Sequence, residues 1–245
     1  MKILVCLGNV PDTTTKIKLV DGKPDLNNIQ WVINPWDELA LTRAMELKED
    51  GSNSVDGVSV ATVGLVSTEP TIRKALAIGA DTAFRIDAEP SDSYFTAQQL
   101  AQVAKDFDII LTGLESADYN GMAVGQMLAE ILGFASVSAV SSLNIDGDTI
   151  KVTRDIDGGK EVVSVNAPVV LTVQKGIAID PRIPAMRGIM MARRKPLNVL
   201  QPAEAENLTE IVSYEMPQPK GACKMVDPDN VAELVELLRN DAKVI

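Results

Sequence analysis

The sequence predicts an α/β fold: a mostly parallel sheet with helices on both faces. Three observations carry that prediction. Short apolar runs at residues 3–7, 58–63, 83–86 and 108–112 alternate with segments of helical period, the βαβα rhythm of crossover connections. Several of these runs end at glycine (Gly8, Gly64, Gly113), as strands do when they pass into a ligand-side loop. A stretch at residues 152–172 then reads as two strands around a tight turn, feeding one more buried strand.

The elements follow in order. Residues 3–7 are a compact apolar strand. A helix starts at Asn34-Pro35-Trp36-Asp37-Glu38: Asn34 can cap it, Pro35 fits the first helical position, and Asp37 and Glu38 suit the positive end of the dipole. Leu39, Ala40, Ala44 and Leu47 give that helix an apolar stripe. After the strand at 58–63, residues 68–78 form a helix. The strand at 83–86 leads to a helix at 93–107, capped by Ser93 or Asp92. The strand at 108–112 leads through a loop to a helix carrying Gly125, Leu128, Ile131 and Leu132, stopped at Gly133. In the later stretch, Asp157-Gly158-Gly159 supplies the positive φ of a hairpin turn. Pro168 opens the apolar run Val169-Val170-Leu171, where a strand's first residue tolerates proline. Residues 196–222, with four prolines, look extended, and a final helix at 229–240 has Val231, Leu234, Val235 and Leu238 on one face.

Composition excludes several classes of function. The chain has 245 residues and 46% hydrophobic content, enough for one large α/β domain plus an appendage. No apolar run approaches the ~18–20 residues of a membrane span. The apolar N-terminus lacks a small-residue cleavage site and passes into Gly8-Asn9-Val10-Pro11-Asp12, so a strand and a cytoplasmic location are expected, not a signal peptide. There is no histidine, which removes the commonest general base and most zinc sites. Two distant cysteines, Cys6 and Cys223, make no disulfide framework. A net charge of −11 argues against nucleic-acid binding.

Ligands of such sheets sit beyond the carboxyl ends of the strands, which points to the loops at 8–15, 64–68 and 113–125. None is a G-x-G-x-x-G or P-loop motif. The third loop, from Gly113 through Asp118, Asn120, Gly121, Met122, Ala123 and Val124 to Gly125, is the strongest candidate. Its glycines would let backbone approach a phosphate, and the following helix offers free N–H groups. A polar loop before a helix whose glycine packs on the sheet fits those residues equally well. Within this acidic chain, residues 182–203 hold Arg182, Arg187, Arg193, Arg194 and Lys195 and no acid. Interleaved are Ile183, Met186, Ile189, Met190 and Met191. A solvated helix face and a partner-docking surface are both compatible with that pattern.

The hairpin stretch also identifies a family. An aliphatic residue, Arg154, the acidic-Gly-Gly turn, Glu161, an aliphatic residue, and Pro168 with aliphatic neighbours and Thr172 resemble the signature of electron-transfer flavoprotein β subunits. The resemblance extends to Val5-Cys6-Leu7-Gly8-Asn9-Val10-Pro11-Asp12-Thr13, Asn34-Pro35-Trp36-Asp37, the run from Thr71 to Asp81, and Ile189-Met190-Met191-Ala192-Arg193-Arg194-Lys195. It covers essentially the whole chain.

The resemblance implies an adenine-nucleotide-binding, Rossmann-like domain at 1–195, including a partner-recognition loop at 183–195. It also implies an arm and helix at 196–245 that pack on an α subunit. The α subunit would hold most of a redox-active FAD, and this subunit a structural AMP. Electrons would pass from acyl-CoA or other flavin dehydrogenases to an acceptor oxidoreductase, with the flavin doing the chemistry and no catalytic residue here. By motif, Cys6, Asn34, Pro35, Trp36, Asp37, Val63, Gly113, Asp118, Asn120, Gly121, Met122, Ala123, Val124 and Gly125 would line the nucleotide. Thr13 and Trp36 would face the flavin, and Ile183, Met186, Ile189 and Arg193 would meet the dehydrogenase. One alternative is an electron-bifurcating member with a second FAD in place of AMP. Leu114-Glu115 and Ala123-Val124-Gly125-Gln126 depart from the bifurcating pattern and favour AMP, leaving the phosphate to backbone N–H groups. Another is a stand-alone adenine-nucleotide sensor of the universal-stress-protein kind.

Overall fold

A computed structural model describes residues 1–51, 53–147 and 149–245. They form two compact units, one of Met1–Ile17 with Leu26–Val212, the other of Lys18–Asp25 with Ser213–Ile245.

In chain order the elements are β1 (Lys2–Cys6), β2 (Asn9–Pro11), β3 (Leu19–Val20), β4 (Lys23–Pro24), β5 (Trp31–Ile33), α1 (Pro35–Glu49), β6 (Gly57–Val63), α2 (Glu69–Ile78), β7 (Thr82–Ile86), α3 (Ser93–Ala104), β8 (Ile109–Gly113), α4 (Val124–Leu132), β9 (Ala135–Asp146), β10 (Thr149–Ile156), β11 (Gly159–Asn166), β12 (Val169–Val173), α5 (Met186–Ala192), β13 (Leu197–Leu200) and α6 (Val231–Asn240). One nine-stranded sheet runs β11-β10-β9-β12-β8-β1-β6-β7-β13. From β9 to β13 every pairing is parallel, and β10 and β11 add an antiparallel hairpin. The expected α/β class is what the chain adopts.

Alternation along the central strands builds two cores. Ile3, Val5 and Leu7 point into a core shared with α1, α2 and α5. Leu4 and Cys6 point to the other face, with α3 and α4. β12 is buried at every position, as a strand covered on both faces must be.

Three boundaries differ from expectation. α3, capped by Asp92 (one of the two expected caps), which accepts from the Phe95 N–H at 2.7 Å, ends at Ala104, short of the expected 107. β9 was not anticipated from sequence. Its Ala135–Asp146 segment carries serines and a bulge, with register shifts against both β10 and β12 and Ala139 at φ 57°. The bulge breaks the strict alternation that reveals a strand. The strand pairs parallel with β12 on one edge and antiparallel with β10 on the other. Finally, residues 197–200 of the expected arm form β13, parallel to β7. The chain beyond it is fastened to α3: buried Gln99 exchanges two hydrogen bonds with Ala203, at 2.8 and 2.9 Å, and Asp92 accepts from the Leu208 and Thr209 N–H groups. The larger unit runs to Val212.

In the smaller unit, β3 pairs with β4, and α6 is capped by Asn230, whose side chain accepts from the Glu233 N–H. No residue of α6 is buried, and Val231 is 63% exposed. Among the described residues no helix is long and apolar enough to cross a membrane.

Candidate functional site

The strand order reverses at β1. From there the chain builds outward through β6 and β7, then returns to lay β8 on the other side of β1. At such a switch point the loops leaving the two strands diverge and open a crevice at their carboxyl ends. Gly8 and Gly113 leave the sheet there.

The first turn of α1 lies across this opening. Asp37 accepts from the Gly8 N–H at 2.7 Å with one oxygen and from the Gly113 N–H at 2.6 Å with the other. One carboxylate thus ties together the ends of the two strands that part. It is 5% exposed, and burial, opposed by the hydrogen bonds from Gly8, Gly113 and Asn34 and reinforced by the Asp118 charge, raises its pKa to about 7. Burial thus places an acid whose pKa is raised toward neutrality at the strand switch point.

Asn34 does not cap α1 as expected; its side chain makes no bond to the helix's first N–H groups. It reaches across the opening, donating to the Glu115 carbonyl at 2.8 Å and accepting from the Ala117 N–H at 3.0 Å, so both ends of its amide serve the 113–125 loop. Its own N–H donates to the Gly8 carbonyl at 2.9 Å. Gly113 must lack a side chain, because a Cβ there would lie 2.5 Å from an Asp37 oxygen and 2.6 Å from Trp36 Cβ. Trp36 is half-buried against the α1-side core.

The loop beyond is exposed at Tyr119 and Met122, and Asn120 and Met122 both hold positive φ, 55° and 51°, on either side of Gly121. It delivers the chain into α4, whose capping position, Ala123, offers no side-chain cap. Gly125 sits on the sheet: a Cβ would approach Thr172 Cγ2 to 2.3 Å and Thr112 Oγ1 to 2.6 Å. Its smallness therefore serves helix–sheet contact and brings the uncapped first turn of α4 close to the ends of β8 and β12. Thr112 Oγ1, beside that turn, is buried and has no hydrogen-bond partner among the described residues.

The remaining predicted positions separate. The side chains of Cys6 and Val63 are buried in the α3–α4 core, so only their backbone is open to a ligand at the strand ends. Burial, with the Asp37 charge second, pushes the Cys6 thiol well above its ordinary range, which rules it out as a nucleophile. Thr13 is exposed in the turn after β2. Ile183, Met186, Ile189 and Arg193 are all exposed on or beside α5, Met186 by 73%. Two of the five basic residues there point elsewhere: Arg182 pairs with Glu49 at 2.8 Å, and Lys195 turns onto α2.

Sequence reasoning placed Gly8, Glu115 and Ala117 inside candidate loops without singling them out, and it missed Thr112 as a member of the site. It also missed Arg85, whose buried guanidinium donates to the Gly64 carbonyl at 2.9 Å and pairs with Asp87 and Glu69. That arginine fixes the start of the 64–68 loop. An Arg inside an apolar strand, one residue before its carboxyl end, was the available signal.

A family model described as "Electron transfer flavoprotein domain" matches residues 26–205. The chain is 34% identical over 261 residues to the electron transfer flavoprotein subunit beta of Bacillus subtilis (strain 168), with 100% of both chains covered. It is 36% identical over 250 residues to that of Syntrophomonas wolfei, covering 100% of this chain and 98% of the relative. Against the human electron transfer flavoprotein subunit beta it is 30% identical over 257 residues, with 98% of each covered. With its parallel sheet, the switch-point opening at β1 and β8, and similarity running end to end, the chain belongs to the electron transfer flavoprotein β-subunit family.

Proposed function

We propose that this chain carries a structural AMP at the β1–β8 opening and pairs with an α subunit to complete the site of a redox-active FAD. The observation that carries the nucleotide reading is the coincidence of three features at one place. Asp37 and Asn34 hold the mouth of the 113–125 loop, α4 starts there without a side-chain cap, and Thr112 Oγ1 is buried without a partner among the described residues. Free N–H groups at a helix start and an idle hydroxyl suit a phosphate ester. The chain's residues therefore fit an adenine nucleotide. Backbone of the 121–125 turn would hold its phosphate, and the strand ends at Cys6 and Val63 would border the base. Asp118 adds negative charge nearby, and the burial that raises the pKa of Asp37 lessens the charge Asp37 sets against the phosphate.

FAD, bound mainly by the α subunit, would supply the electron transfer itself. This chain's share would be to pack against it, exclude water and orient it through the segment holding Thr13 and the half-buried Trp36. The exposed α6 and the extended chain from 201 would pack on the α subunit; α6 presents Val231, Leu234 and Val235 with no cover of its own. Ile183, Met186, Ile189 and Arg193 would dock the dehydrogenase that donates electrons, acyl-CoA or otherwise, before an acceptor oxidoreductase withdraws them.

Co-expression with the α subunit, followed by acid extraction and mass spectrometry, tests the reading. One AMP and one FAD per heterodimer are expected. Two FAD and no AMP would mean the bifurcating arrangement. A colourless homodimer that holds only an adenine nucleotide would overturn the electron-carrier role.

A further inference from the structure

α5 is a helix of seven residues, too short to hold its shape unaided, since nucleating a helical turn costs more than one turn returns. Its N-terminus has no side-chain cap, and Ala192 is its one buried residue. Yet it holds up the large exposed side chains Met186, Ile189 and Met190. What fixes it is α2. Gly188 lies against the backbone of Ala77 so closely that a Cβ would stand 2.3 Å from the carbonyl oxygen. The Arg73 guanidinium, from α2, donates to the carbonyls of Ala192 and Lys195, both at 2.9 Å, closing the C-terminus of α5. In return the Lys195 ammonium donates to the carbonyls of Leu76, Gly79 and Ala80, at 3.0, 3.0 and 2.6 Å, closing the C-terminus of α2.

Each helix therefore leaves its last carbonyls, the negative end of its dipole, to a cation supplied from the other's segment. The ammonium has three protons, and all three are used. The chain then enters β13 directly, with the Pro196 carbonyl accepting from the Ala83 N–H at 3.0 Å, so the crossing is anchored on both sides. Lys195 is thus removed from the outward basic face, where Arg187, Arg193 and Arg194 have no ion pair among the described residues.

We propose that Arg73 and Lys195 are positioning residues for docking: their reciprocal capping of α2 and α5 sets the height and angle at which Met186 and Ile189 meet a partner protein. The proposal rests on the docking reading given above. Without the lock, α5 would sample unwound or lifted conformations, and only the fraction in the docked geometry would bind. Apparent affinity falls by that fraction, while the electron-transfer step within the complex is unaffected.

The experiment uses the heterodimer with its α subunit, varied as the electron acceptor of an acyl-CoA dehydrogenase that is reduced by its acyl-CoA. For Lys195→Met, we expect KM for the heterodimer to rise about tenfold with kcat within about twofold, matching a tenfold smaller competent fraction. Amide exchange at residues 189–192 should accelerate, with β1 and β8 unchanged and FAD content kept. Arg73→Lys keeps the charge but loses the planar fork, and should move both readouts the same way to a smaller degree; it also carries the test if Lys195→Met does not assemble. Faster exchange in α5 with KM unchanged overturns the proposal, as does unchanged exchange. Met186→Glu is the control. If it leaves KM unchanged, the docking reading itself fails; if it raises KM while the lock variants do not, this proposal alone fails.

Discussion

Replacing Asp37 with asparagine separates the charge of this residue from its shape. In the protein both carboxylate oxygens accept a backbone N–H, from Gly8 and Gly113. An asparagine amide keeps one acceptor and turns an NH2 donor toward the other N–H. Losing that bond and leaving a buried donor unpaired costs ~1–3 kcal/mol. Against this stands the carboxylate's desolvation, which raises its pKa from 3.8 to about 7 in the folded chain. A carboxyl whose folded pKa lies above its unfolded value binds its proton more tightly when folded. Its contribution is fully present below the unfolded value near 3.8, and is lost as pH rises through about 7. At ~1.4 kcal/mol per unit, the ionised carboxylate costs the folded state roughly 4 kcal/mol above that window. Between pH 5 and pH 8 the wild-type protein should therefore lose on the order of 2–3 kcal/mol that Asp37→Asn does not lose. Urea unfolding of both proteins at the two pH values, followed by circular dichroism, reads the difference. The variant should be the weaker protein at pH 5 and should draw level with or pass the wild type at pH 8. A gap that stays constant across that range would refute the reasoning, because it would mean Asp37 is ionised throughout.

Three further outcomes are expected. Gly113→Ala should lose ~1–3 kcal/mol, from overlap of its Cβ with Asp37 and Trp36, and should lower Tm by several degrees; an unchanged Tm would mean the turn can open without cost. Asn34→Ala removes both bonds to the 113–125 loop, so amide exchange at Ala117 should accelerate and stability should fall by ~1–3 kcal/mol, while α1, which this residue does not cap, keeps its helicity. Alkylation of the isolated native chain at mildly alkaline pH should modify exposed Cys223 and spare Cys6, with peptide mapping as the readout; modification of Cys6 without unfolding would contradict its burial and raised pKa.

The sequence by itself determined the fold class, because parallel βαβ units print their period and their punctuation locally. The start of α1, the glycine at the end of β8 and the hairpin turn at Gly158 were each legible from neighbouring residues. It also gave the family, since the motif residues lie in short contiguous runs. Two kinds of feature were hidden. β9 was invisible because its bulge and serines erase the alternation a strand shows, and β13 because a short run between prolines has no period to read. The roles within the site were hidden for a different reason. Asn34 and Asp37 look like any capping residue and any first-turn acid. Only the crossing of α1 over the β1–β8 gap puts their side chains against Gly8, Gly113 and the loop at 115–117, which are far away along the chain. Lys195 is the same case, one cation of a basic run until the packing of α5 on α2 sets it over three carbonyl oxygens. Local signals fix which segments become strands and helices; which side chain meets which backbone group depends on distances that exist only once the sheet has closed.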